Sequence, residues 1–335
     1  MSNSATRRKA TVLGSGMVGM AIARDLALRG DLDVHIADLR EDNLGRAAAL
    51  APVQTHRADL GDPAVVKGLI AESALVVGAL PSWIGLQSVR VAIEAGCPMV
   101  DISFMPEDAR PLDPLARERG AIVVTDAGVA PGLSNMMAAA AAAALDRCDR
   151  LEIGVGGLPA VRRWPFEYKA GVSPFDVLEE YTRPARVVEK GEMVVKEALS
   201  GLKLIDVPEI GTLESFITDG LRSLVDTVKV PNMEERTLRW PGHAALMKIF
   251  RETGLFSLDP IDVKGVTLRP RDVTAALLFP KWTFDEGEED ITVMKVTAWG
   301  EKAGRAAVAG FDFFDRYDAE SRLRSMSRST GYTAT

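Results

Sequence analysis

Short apolar runs alternate with amphipathic stretches over the first third of the chain. Apolar runs at 10–13, 32–37, 74–80, 99–102 and 121–125 read as buried strands, because each is short and bounded by turn residues. Between them, residues 17–28 recur apolar at helical spacing, and 63–71, 85–95 and 106–120 read as further helices. Strand and helix in strict alternation predict a parallel sheet with helices on both faces. The stretch from Asp126 to Asn135 is rich in glycine and leads into Met136, Met137 and a run of alanines, with Ser134 or Asn135 as the expected N-cap.

The texture changes beyond Leu151. Residues 151–155 read as a strand, and 186–196 hold two alternating runs about Glu189-Lys190-Gly191-Glu192. A second hairpin is expected from 291–299 and 306–314 around Lys302-Ala303-Gly304, with helices at 175–181 and 244–253 covering one face. Residues 279–289, rich in acids, read as an exposed loop. The predicted fold is therefore α/β: a Rossmann-type doubly wound parallel sheet over 1–130, then a second α+β substrate domain of mostly antiparallel sheet over 131–320.

Composition narrows the function. A chain of 335 residues with 47% apolar and 26% charged residues fits a soluble globular protein of about two domains. The net charge of −7 argues against nucleic acid as a partner. Cys97 and Cys148 are too few for a disulfide framework and lack metal-ligand spacing, so no metal and a cytoplasmic, reducing location are expected. No apolar run is long enough to span a bilayer, and no signal-type stretch opens the chain.

Chemistry enters at Gly14-Ser15-Gly16-Met17-Val18-Gly19, between the first strand and first helix. Gly14 suits a tight turn, Gly16 the close approach of a pyrophosphate, and Gly19 a helix lying close to its strand; the N–H groups from Met17 and Val18 onward then face the phosphates. The second strand ends in Asp38, about twenty residues on, where a carboxylate can accept from the ribose hydroxyls and repel a 2′-phosphate. NAD is thus favoured, while Leu39-Arg40 follow directly and Arg40 could shield a phosphate, which keeps NADP open. Asp59-Leu60 are expected by the adenine. Ala79-Leu80-Pro81, at the carboxyl end of a strand, belongs beside the cofactor, and Asn135 is placed with the cofactor contacts where the first domain hands over.

These residues resemble the saccharopine dehydrogenase-like family of amino-acid oxidoreductases, and within it most closely the lysine 6-dehydrogenase branch. The resemblance is carried by the glycine loop with Asp38, by Ala79-Leu80-Pro81 and Val100-Asp101-Ile102-Ser103, and by Ala127 to Asn135. It continues through Gly156-Gly157-Leu158-Pro159, Phe166-Glu167-Tyr168-Lys169, the segment from Glu214 to Arg222, and Thr237 to His243. It implies an NAD(P)-dependent, homo-oligomeric enzyme that oxidises the terminal amine of L-lysine to a semialdehyde with release of ammonia, and a chain that begins a return to the first domain over 321–335. Reductive condensation of an amino acid with a carbonyl compound, as in saccharopine formation, is the alternative, and a non-catalytic NAD-binding regulatory protein is a third.

An amine donor must lose a proton before hydride departure, so a base near neutrality is useful. Of three histidines, His35 and His56 fall in the nucleotide half. His243 follows a turn in the substrate half and is the first expected base, with Tyr168 and Lys169 as alternatives. Arg239 has the planar fork for an α-carboxylate, with Arg183 in reserve. Thr218 and Asp219 form a turn whose acid could meet the substrate α-ammonium, with Glu180 as another acid.

Overall fold

The computed structural model describes residues 7–171 and 173–335. It divides into two compact units, one comprising the chain up to Leu133 with Ser327–Thr335, the other Ser134–Met326.

In the first unit six parallel strands, β1 (Arg8–Leu13), β2 (Leu32–Asp38), β3 (Gln54–Arg57), β4 (Leu75–Gly78), β5 (Met99–Asp101) and β6 (Val123–Val124), lie in the order β3-β2-β1-β4-β5-β6. The doubly wound topology expected from the alternation is therefore present, and its strand order reverses between β1 and β4, where ligands bind in such sheets. Ala10, Val12 and Leu13 of β1 are fully buried, as a central strand covered on both faces requires. Helices α1 (Met17–Arg29), α2 (Glu41–Leu50), α3 (Pro63–Ile70), α4 (Ser82–Glu94) and α5 (Asp113–Arg119) supply that cover. The end of the chain packs on α1: Ala334 enters its core cluster, and the Thr335 hydroxyl donates to Asp25 at 2.7 Å.

Helix α6 (Leu133–Ala143) opens ahead of the expected N-cap at Ser134 or Asn135. The Leu133 N–H donates to the Gly128 carbonyl at 2.8 Å, which closes the preceding loop and leaves Ser134 and Asn135 inside the first turn instead of at the cap.

The second unit is built on a sheet of eight strands. In chain order its elements are β7 (Arg147–Pro159), α7 (Pro174–Thr182), β8 (Ala185–Glu189), β9 (Glu192–Lys196), β10 (Lys203–Val207), β11 (Gly211–Thr218), α8 (Leu224–Thr227), β12 (Met233–Arg239) and α9 (His243–Glu252). There follow β13 (Ile261–Val263), β14 (Val266–Leu268), α10 (Pro270–Trp282), β15 (Asp290–Lys302) and β16 (Arg305–Arg316), and α11 (Ser325–Thr333), all but its first two residues, belongs to the first unit. The main order is β10-β11-β12-β7-β15-β16, and β8-β9 joins through β12. Only the β7–β12 pairing is parallel among the described pairs of this sheet, so it is mixed and mostly antiparallel. Both hairpins turn at the expected residues: Lys190-Gly191 and Ala303-Gly304 hold φ of 54° and 87°, and of 52° and 72°. Two consecutive left-handed residues give the turn whose twist matches paired strands.

The expected loop at 279–289 needs correction. Its first residues are the last turn of α10, and Trp282 is fully buried beside Tyr168, Tyr181 and His243. Pro280 lies inside that helix. A proline there argues against a helix locally, but the burial of Trp282 and Leu278 outweighs one lost backbone hydrogen bond.

Candidate active site

The first unit carries a cradle at the end of β1. Gly14 holds φ of 101°, its N–H donates to the Ala37 carbonyl at 2.9 Å, and a Cβ on it would lie 2.4 Å from the Ala79 carbonyl oxygen. A Cβ on Gly19 would lie 1.9 Å from the Gly14 oxygen. Both glycines are thus demanded by the protein itself. Gly16 differs: it is exposed and a Cβ on it would meet nothing within 4 Å. Its openness is unexplained by packing and matches a place kept for a ligand. The α1 N-terminus has no side-chain cap and no acid in its first turn, so its N–H groups, with half-buried Met17 and Val18, suit an anion.

Asp38 sits at the tip of β2 and is oriented by two backbone donors, Ser15 to Oδ2 and Arg40 to Oδ1, each at 2.8 Å. Leu39 and Arg40 are exposed beside it, and exposed Asp59 accepts from the Gly61 N–H. Leu60 and Leu80 turn inward to the core, Leu80 against Gly14. Ala79 abuts Gly14 and Gly19, and Pro81 precedes α4. Beyond these, Asp101 at the end of β5 is fully buried, accepts from the Ser103 N–H and hydroxyl, and is pushed up to about 7 by burial.

The second unit gathers Arg239, Glu180, Tyr168 and His243 into one buried cluster. Arg239 ends β12, 4% exposed; its Nη2 donates to Glu180 Oε2 of α7 at 2.6 Å, and its Nη1 to the Leu238 carbonyl at 3.0 Å. The guanidinium lies 4.5 Å from the centre of the Tyr168 ring, and its Nε has no partner. Burial holds the Tyr168 and Tyr181 phenols above their ordinary range, and the Glu180 carboxyl is pushed up by burial against the pull of Arg239.

His243 begins α9 but does not match the expected base. Its Nδ1 donates to the Phe166 carbonyl at 2.9 Å, which leaves Nε2 to accept from the Tyr181 hydroxyl at 2.8 Å. Burial first, and the nearby Arg239 second, press its pKa from 6.5 to about 3, so the ring is neutral and both nitrogens are engaged. Nor does it cap the helix. Glu214 of β11 does so, accepting from the Gly242 N–H at 2.9 Å and the Ala244 N–H at 2.5 Å, a carboxylate at a positive helix end.

The remaining candidates are already paired. Asp219 takes a two-point contact from Arg186 at 2.9 and 3.0 Å, with Arg222 at 3.9 Å, so its charge is answered within the protein. The Thr218 hydroxyl donates to Glu235 and lies 2.9 Å from the Thr237 hydroxyl. Arg183 faces Glu179 at 3.6 Å. Lys169 is held by Glu288 at 2.5 Å and Asp285 at 3.3 Å, on the wall of a pocket of about 270 Å³ that Arg163, Trp164, Tyr168 and Lys281 also line. Asn135, near the start of α6, belongs to the second unit.

Sequence reasoning did not find Tyr181, Glu214 or Glu235. Tyr181 shares the buried face of α7 with Val177 and Leu178, a spacing legible in the sequence. Glu235 is buried in β12 and pushed up to about 8 by that burial, which no local pattern announces.

A glycine cradle at the switch point, an acid at the tip of β2 and a separate sheet-based unit define a two-domain dinucleotide-binding protein. Residues 10–124 match the saccharopine dehydrogenase NADP binding domain, and residues 128–335 the saccharopine dehydrogenase C-terminal domain. The chain belongs to the saccharopine dehydrogenase family, and its first domain is of the NAD(P)-binding kind. Mitochondrial alpha-aminoadipic semialdehyde synthase of Bos taurus is 24% identical over 279 residues, covering 76% of this chain and 29% of that one. Saccharopine dehydrogenase [NADP(+), L-glutamate-forming] of Saccharomyces cerevisiae is 27% identical over 130 residues, 38% of this chain and 28% of that protein. The chain thus spans under a third of the length of these curated relatives. Apo saccharopine dehydrogenase (L-Glu forming) from Saccharomyces cerevisiae shares the fold at a TM-score of 0.79 and 18% identity, over 98% of this chain and 89% of that one.

Proposed function

We propose that this chain is an NAD-dependent oxidoreductase that oxidises the terminal amine of L-lysine to a semialdehyde with release of ammonia. The observation that carries it is the Arg239–Glu180 pair, a buried cation with one unused donor beside a buried acid. That juxtaposition suits a zwitterion: the Arg239 Nε takes the α-carboxylate, and Glu180 faces the ammonium. Tyr168, stacked on the guanidinium, fixes its plane.

The cofactor would rest on the Gly14–Gly19 loop and the α1 N-terminus, with Asp38 on its ribose, and it supplies the hydride acceptor. The chain binds and orients the amine donor, whose terminal ammonium must lose a proton before hydride departure. Glu180, whose carboxyl burial pushes up, meets the α-ammonium beside Arg239 and so fixes the amino-acid end of the donor. His243 holds Tyr181 in place through its acceptor nitrogen and does not titrate with the reaction.

A second reading has its own support. The pocket beside Tyr168 is lined by Arg163, Lys169 and Lys281 against Asp285 and Glu288, so it can take a second carboxylate. Oxidation or reductive formation of a secondary amine such as saccharopine needs such a place, and relatives that are a semialdehyde synthase and a saccharopine dehydrogenase by name favour that chemistry.

The test is an initial-rate screen at the reduced-nicotinamide band with NAD and, in turn, lysine, ornithine, a diamine and saccharopine. Turnover of lysine without a carbonyl compound, and a diamine poorer by about tenfold or more for want of the carboxylate, is the expected result. Saccharopine alone as substrate selects the second reading. A diamine as good as lysine removes Arg239 from carboxylate recognition, and NAD binding without turnover of any amine overturns both readings.

A further inference from the structure

β11 and β12 place one row of side chains beneath α7 and α9. Glu235, Thr237 and Arg239 alternate along β12 and so share a face, opposite Thr218, Phe216 and Glu214 of β11. Three contacts set that face under the helices: Arg239 with Glu180 of α7, Phe216 with Tyr181 of α7, and Glu214 with the first N–H groups of α9. All six side chains are buried.

Glu235 is the acid here whose charge no cation answers. Glu180 has Arg239 and Asp219 has Arg186, whereas no lysine or arginine pairs with Glu235 among the described residues. Its partners are the Gly220 N–H and the Thr218 hydroxyl. The backbone makes room for it, since a Cβ on Gly220 would lie 2.4 Å from the Glu235 carboxyl carbon. Burial first, with Glu180 and Asp219 adding their like charges, pushes this carboxyl up to about 8, so it changes state close to neutral pH.

The Thr218 hydroxyl in turn lies 2.9 Å from the Thr237 hydroxyl. Each hydroxyl gives one proton and accepts another, so the three groups form a chain that runs in either direction. With Glu235 ionised, Thr237 donates to Thr218 and Thr218 to Glu235. With Glu235 protonated, the acid donates to Thr218 and Thr218 to Thr237. The open end is Thr237, which stands between Glu235 and Arg239 in the row.

We propose that Glu235 receives the proton lost by the terminal ammonium of the substrate, by way of the Thr237 and Thr218 hydroxyls. This role rests on Arg239 and Glu180 holding the amino-acid end of the donor, as proposed above. Alternate residues of a strand stand about 6.5 Å apart, the reach of an extended lysine side chain, so a donor anchored at Arg239 and lying along β12 brings its terminal nitrogen to Thr237. The N–H bond breaks and its proton joins the Thr237 oxygen, while Thr237 passes its own proton to Thr218 and Thr218 its own to Glu235 Oε2. Both hydroxyls are restored, and the nitrogen keeps the electron pair that hydride departure requires.

Initial rates of the full chain with NAD and lysine, read at the reduced-nicotinamide band across pH, test this. Below about pH 8 the wild-type kcat should fall by about tenfold per pH unit, because only ionised Glu235 accepts. Glu235→Gln, the neutral isostere of the protonated acid, should match wild type in thermal unfolding at pH 7. It should hold KM for lysine within about threefold, lower the plateau kcat by about a hundredfold or more, and lose the acid limb. Thr237→Val should lower kcat by about tenfold or more, and Thr237→Ser, which restores the hydroxyl, should recover most of that loss. A wild-type acid limb in Glu235→Gln overturns the relay and leaves Arg239 in place, since lysine is then still turned over. Equal rates for serine and valine at 237 overturn it as well, because packing alone would account for the position. Turnover of no amine at all fails the reading of Arg239 and Glu180, and the relay falls with it.

Discussion

Acidifying the protein should expose the buried state of His243. Only the unprotonated Nε2 can accept from Tyr181, because the Phe166 carbonyl, itself only an acceptor, fixes the ring proton on Nδ1. A second proton would meet the Tyr181 hydroxyl hydrogen in a site that Arg239 already makes positive. The folded pKa is accordingly about 3, against 6.5 in the unfolded chain. Between those values the unfolded state binds more protons, so this group's contribution is present above pH 6.5 and is lost as the pH falls towards 3. The whole shift amounts to roughly 5 kcal/mol, of which about 2 kcal/mol is lost between pH 7 and pH 5. Urea unfolding followed by tryptophan emission reads it, since Trp282 packs against the ring. His243→Gln should be less stable than wild type at pH 7, for want of its hydrogen bonds. The gap should shrink by about 2 kcal/mol at pH 5, because the variant has nothing there to protonate. Parallel stability curves from pH 7 to pH 5 would refute a buried, neutral His243.

The glycines of the cradle should separate by role: Gly16→Val should leave the fold intact and abolish NAD binding in calorimetry, whereas Gly19→Ala, with a Cβ 1.9 Å from the Gly14 oxygen, should lose stability in thermal unfolding. Unchanged NAD affinity in the first variant would remove this loop from the cofactor site. Asp38→Ser should shift the ratio of kcat/KM for NADP over NAD by roughly tenfold or more towards NADP, the equivalent of about 1.4 kcal/mol. A wild type that already prefers NADP would contradict the reading of Asp38.

The nucleotide half was legible because its determinants are local. Gly14, Gly16 and Gly19 fall within one turn, Asp38 ends the adjacent strand, and strand–helix alternation fixes the topology. The hairpins were legible for the same reason, since Gly191 and Gly304 carry a left-handed turn position in their residue type. Helix α10 was not, because its evidence lies in what Trp282 touches, and Pro280 points the other way locally.

Residue type alone could not rank the candidates of the second unit, since what decides among them is the partner each acquires from a distant element. Asp219 reads as a free acid until β8 brings Arg186 to it, 33 positions away. Lys169 reads as a candidate base until Glu288, 119 positions on, neutralises it. His243 reads as a titrating base until Phe166 and Tyr181 claim both nitrogens. Burial raises the cost of any unpaired charge, so a folded site resolves most of its charges internally. The informative residue is one whose pairing is incomplete despite burial. Arg239 meets that condition: Glu180 answers its charge, Leu238 occupies one Nη, and the Nε remains a buried donor with nothing to donate to. Leaving such a donor unmet costs about 1–3 kcal/mol in the free protein, which a substrate carboxylate would return on binding under the proposed reading.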